Sequence, residues 1–121
     1  MYSIKNSIFP PSRKVIAMTN KNERYNNLLD WYESLLTDKQ KEIAHMYFRE
    51  DFSLSEIAEH TKSSRSAVHD SVQRVESLLE KYEDNLQCYQ HFILRQTIYQ
   101  KLNALKIDEV DKLVERLNEI E

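Results

Sequence analysis

From residue 22 to the C-terminus, apolar residues recur every three or four positions, the period of a helix buried along one face. Tyr25, Leu28, Leu29, Tyr32, Leu35 and Leu36 predict a first helix over about 23–36, with Trp31 beside the stripe and partly buried. Thr37 with Gln40 three residues on is a capping-box pattern, and it opens a second helix whose inner face is Ile43, Ala44, Tyr47 and Phe48. After the polar break at 49–51, Phe52 stands ready to staple against Ile57. Ser53 and Glu56 repeat the capping-box pattern for a third helix. The polar run 60–64 interrupts the period, and Ser64 caps a fourth helix. Its ridge begins at Val68 and Val72 and continues through Val75, Leu78, Leu79, Tyr82 and Leu86. Over 85–106 the apolar positions spread around the helix, as expected of one packed on two sides. Asp108 then caps a last helix striped by Val110, Leu113, Val114, Leu117 and Ile120. The expectation is an all-α fold of six helices with no strand.

The two helices over 53–74 have the pattern of a helix-turn-helix. Ile57 and the small Ala58 sit where the pair must approach closely, and the second helix keeps a polar outer face at its start. The expected nucleic-acid-binding residues are Lys62, Ser64, Arg65, Ser66, His69, Gln73 and Arg74. Arg65 is the strongest of them, because a guanidinium forks onto guanine or phosphate. Asp70 repels phosphate and is expected to pair with Arg74 at i+4. Lys62 falls where such turns favour glycine, so a left-handed lysine is expected, at about 1 kcal/mol. Across 62–74 three basic residues stand against one acid, a net +2 that makes a modest footprint.

Composition narrows the class. A chain of 121 residues suffices for one ordinary domain, expected over 22–121, with the helix-turn-helix at 53–74 and further C-terminal helices at 75–121. It contains no glycine, which excludes glycine loops that cradle phosphates or dinucleotides. The net charge of −3 is uneven. Lys5, Arg13, Lys14 and Lys21 give the first 21 residues +4 with no acid, leaving −7 for the rest. That first segment, with its Pro10–Pro11 pair, is expected to be disordered, or to act as a basic arm. Helix-forming sequence starts directly after Met18, which leaves Met18 open as the initiator. Cys88 is the only cysteine, so no internal disulfide forms, and with His91 it makes too few ligands for zinc. No apolar run is long enough to span a membrane and no secretory leader is apparent, so a cytoplasmic protein is expected. Nothing calls for a cofactor or a metal, and no catalytic constellation suggests an enzyme.

The stretches 36–40, 53–59 and 64–68 resemble region 4 of bacterial sigma factors, which reads promoter DNA. A fuller resemblance, over about a hundred residues from 22 to 121, is to the YlxM-type family of small bacterial helix-turn-helix proteins. It is carried by 31–40, Tyr47, 52–58, 64–68, Arg74 and 79–83. That resemblance implies a cytosolic regulatory protein of the signal recognition particle pathway, contacting the particle's GTPase or its small RNA. Members of the family usually have glycine in the turn and tyrosine where His69 stands. The alternative is a sequence-specific DNA-binding transcription regulator. A third reading, a scaffold or homodimer built on the long helices, follows from the apolar stripe of the last one.

Overall fold

The computed structural model describes residues 21–121, so the expectations for the first twenty residues lie outside it. Among the described residues there are six α-helices and no strand: α1 Lys21–Tyr32, α2 Asp38–Ala44, α3 Leu54–Thr61, α4 Arg65–Leu86, α5 Cys88–Asn103 and α6 Asp108–Ile120. The all-α expectation holds. A 3₁₀ turn, Glu33–Leu35, extends α1, and a wider π turn, His45–Arg49, extends α2. Both capping boxes form, Thr37 with Gln40 and Ser53 with Glu56, each side chain bonding the other's backbone N–H. Hydrogen bonding from Ser53, its backbone N–H first, holds the Glu56 carboxyl below the usual range.

Two compact units divide the described chain, one up to Tyr89 and the other from Gln90 onward. In the first, Leu28, Leu29 and Tyr32 of α1, Ile57 of α3 and Val68, Val75 and Leu79 of α4 are wholly buried in one cluster. Trp31 and Phe52 are half-buried against it. Each such aliphatic side chain contributes about 1.5–3 kcal/mol of burial, which is why α4 is held along its length and not only at its turn.

Polar groups fix the register of α1 on α4. Arg24, itself buried, forks onto Glu80 at 2.6 and 2.9 Å. The buried Tyr32 hydroxyl donates to Glu83 at 2.5 Å and accepts from the Cys88 N–H at 3.0 Å. Glu83 also accepts from the Tyr89 N–H at 3.1 Å, and Asn27 donates to the Tyr89 hydroxyl at 3.0 Å. Burial, then the bond to Glu83, pushes the Tyr32 phenol upward. These bonds pin the junction where α4 ends. Gln87 turns left-handed there (φ 55°) and α5 starts one residue later, so the helix expected from residue 85 begins at Cys88.

In the second unit, the end of α6 is tied to α5. Glu121 accepts from Arg95 at 2.6 Å and from the Tyr99 hydroxyl at 2.9 Å, and Gln96 donates to Asn118 at 2.9 Å. Leu94, Tyr99 and Val114 are buried, but Leu105, Ile107, Leu113, Leu117 and Ile120 are exposed. Asp108 does not cap α6: Ile107 holds the cap position, without a side-chain bond, after a left-handed Lys106. Asp108, Glu109 and Asp111 instead fill the first turn, where carboxylates favour the helix dipole.

Candidate nucleic-acid interface

The turn between α3 and α4 is built from backbone bonds that glycine usually makes possible. Lys62 adopts φ 56°, ψ 42°, the left-handed geometry expected of it. Its N–H reaches Glu59 O at 3.4 Å while the Ser63 N–H reaches Ala58 O at 3.0 Å. That pair of bonds is a Schellman closure, which satisfies the last carbonyls of α3. Ala58 is buried at the crossing, so a larger side chain there would push the helices apart.

Ser64 caps α4 as expected, its oxygen accepting from the Ala67 N–H at 3.1 Å. The Ser64 and Ser66 hydroxyls lie 3.2 Å apart, and those of Thr61 and Ser63 2.7 Å apart. A polar hydroxyl run therefore leads into the first turn of α4, and that turn contains no acid. Thr61 and Ser63 were not among the residues expected from sequence; the signal, an unbroken Thr-Lys-Ser-Ser-Arg-Ser run, was present. With its free N–H groups and positive dipole end, this terminus suits an anion.

All seven expected residues, Lys62, Ser64, Arg65, Ser66, His69, Gln73 and Arg74, are exposed. Arg65, His69 and Gln73 follow one another at i, i+4 and i+8, along one slowly turning strip of α4. Arg74 departs from them. Nine residues at about 100° each put it half a revolution round the helix from Arg65. The geometry therefore groups Lys62, Ser64, Arg65, Ser66 and His69 at one end, with Gln73 two turns further on. Asp70 does not pair with Arg74; its nearest ionic partner is His69, at 3.7 Å between two exposed side chains. Past this end the charge reverses: from Glu76 to Leu86, four acids face one lysine. Among the described residues no group of His, Cys, Asp or Glu is placed to hold a metal ion, and no helix is long and apolar enough to cross a membrane.

A helical chain with this cap, turn and exposed second helix is a helix-turn-helix protein. The family described as "Putative helix-turn-helix protein, YlxM / p13 like" matches residues 19–120, and the chain belongs to that family. It is 41% identical over 106 residues to the UPF0122 protein YlxM of Bacillus subtilis, covering 84% of this chain and 96% of that one. Against the UPF0122 protein of Oceanobacillus iheyensis it is 39% identical over 105 residues, covering 86% of this chain and all of the relative. A Bacillus thuringiensis member is 43% identical over 103 residues, covering 85% and 93%. The likeness thus spans both units.

Proposed function

We propose that this protein is a non-enzymatic regulatory or accessory factor of the signal recognition particle pathway that contacts nucleic acid through the N-terminal end of α4. The observation that carries the reading is the acid-free first turn of α4, with Arg65, Ser66 and the Ser64 cap exposed beside Lys62. Donors of this kind hold phosphate and, through Arg65, reach a guanine edge. Membership of the YlxM-like family supports the regulatory role. The pathway and its candidate partners, the particle's small RNA and its GTPase, follow from the resemblance carried by residues 31–40, 52–58 and 64–68.

A net +2 across 62–74, followed at once by acids, suits a short contact on a structured RNA better than a long track along duplex DNA. The second reading is a DNA-binding transcription regulator. It is favoured by the α3–α4 geometry itself, since a helix-turn-helix presents the start of its second helix to the major groove.

One experiment separates the two. Tagged full-length protein is recovered from cells at low salt, and its companions are read by RNA sequencing and mass spectrometry. Enrichment of the small RNA or the GTPase, lost on Arg65→Ala for the RNA, is the expected result. Recovery of neither, with a preferred DNA duplex found in a shift assay, moves the assignment to the second reading.

A further inference from the structure

Large apolar residues left open to water are shared unevenly along the chain. Among the described residues up to Tyr89 there are two, Leu35 and Leu86. From Gln90 onward there are six: Ile98, Leu105, Ile107, Leu113, Leu117 and Ile120. Leu113, Leu117 and Ile120 form a row on α6 at i, i+4 and i+7, with 51, 43 and 82% of their surfaces open. Another side of α6 serves the chain itself. Val114 is buried, Asn118 accepts from Gln96, and Glu121 accepts from Arg95 and Tyr99 of α5. At about 100° per residue, the open row is turned about a quarter of a revolution from Val114, so α5 leaves it uncovered. We infer that this row is a self-association surface, on which a second copy of the chain lays its own α6 antiparallel.

Two observations select a second copy. The first is area. The six residues together leave on the order of 500 Å² of apolar surface open, near the upper limit for a monomer. The α6 row supplies about half of it; Ile98 on α5 and Leu105 and Ile107, in the turn leading into α6, supply the rest. One side of a standard homodimer interface is about 800 Å², roughly two-thirds of it apolar, which is the same amount.

The second is charge. Along the edge of the row away from Val114 stand Arg116 and Glu119, both exposed and neither ion-paired among the described residues. In a parallel pair this edge meets the Val114 edge of the other helix, which α5 already occupies. In an antiparallel pair like edges meet. Centred on Leu117, that arrangement sets Leu113 against the partner's Ile120 and Arg116 beside the partner's Glu119, each contact occurring twice by symmetry. Opposed helix dipoles favour the same orientation. A pair joined mainly by one short helix is weak, with a Kd on the order of 10 µM, so the dilute chain is a monomer whose stability is set elsewhere.

The test needs no nucleic acid, so it fails or succeeds independently of the functional reading. The full chain is sedimented at concentrations from about 1 to about 200 µM. Its weight-average mass should rise from that of one chain toward that of two. Leu117→Glu should stay monomeric throughout, with helix content unchanged in circular dichroism. Arg116→Glu and Glu119→Arg should each weaken the pair about tenfold, while Arg116→Glu/Glu119→Arg restores it to within about threefold. If Leu117→Glu loses helix content, these charge variants carry the test alone. A native chain that remains monomeric at the highest concentration overturns the proposal. So does association that survives Leu117→Glu in a folded variant, or a charge exchange that fails to restore the pair.

Discussion

The two units use the same alphabet of amphipathic helix to different ends. In the first, the stripes of α1, α3 and α4 meet, and Leu28, Leu29, Ile57, Val75 and Leu79 are sealed from water. In the second, α6 has an equally regular stripe, yet Leu113, Leu117 and Ile120 remain exposed and only Val114 is buried. Periodicity therefore says which residues share a face, and it does not say whether that face finds a partner within the chain. The polar bonds follow the same division. Arg24–Glu80 and Tyr32–Glu83 are shielded and fix register, whereas Arg95–Glu121 lies nearer solvent at a helix end.

The largest expected effect breaks this contrast most visibly. Leu79→Ala should destabilise the protein by about 3 kcal/mol, from lost burial and a cavity, while Leu113→Ala should change stability by less than about 0.5 kcal/mol. Urea unfolding of both variants checks the pair, and equal losses would erase the distinction. Next comes Tyr32→Phe, which keeps the ring but strips the hydroxyl from Glu83 and the Cys88 N–H. A loss of about 1–3 kcal/mol is expected, because a buried carboxylate is left short of a donor.

A smaller effect is read from pH. The Tyr25 phenol has its ordinary value of 10.0 when unfolded and about 12 in the fold. Below pH 10.0 both states keep the proton and the stability is fully present. As pH rises from 10.0 toward about 12, the unfolded chain ionises first, and stability falls. Tyr25→Phe should flatten this alkaline slope in urea midpoints taken from pH 9 to pH 11, whereas an unchanged slope would assign it to other groups. Smallest of all is Lys62→Gly. A left-handed lysine should give way to glycine with a gain of up to about 1 kcal/mol, seen as a higher melting temperature with the helix content unchanged.

Much of the first unit was legible because its signals are local. Ser53-x-x-Glu56 and Thr37-x-x-Gln40 are read directly as capping boxes, and both form. The left-handed Lys62 followed from its distance from Ala58, and the all-α class from apolar residues recurring every three or four positions. What was not legible depends on three dimensions. The π turn at His45–Arg49 continues the apolar period of α2 and leaves no mark in it. The break at Gln87 sits in a helix-favouring stretch; the buried Tyr32–Glu83 bond sets it from 51 residues away. Ile107 displaced Asp108 from the cap because Lys106 turns left-handed first. At the candidate interface, the individual residues were visible in sequence, but the half-revolution separating Arg74 from Arg65 comes from following one continuous helix.

The central claim is that the exposed, acid-free start of α4 is where nucleic acid binds. Fluorescence anisotropy of labelled small RNA and of duplex DNA, titrated with the full chain at several salt concentrations, tests it most directly. Arg65→Ala and Lys62→Ala should each weaken binding several-fold and reduce the salt slope by about one, while Lys112→Ala on α6 should change neither. If Arg65→Ala binds as tightly as the native chain, or Lys112→Ala costs as much, the end of α4 is not the contact.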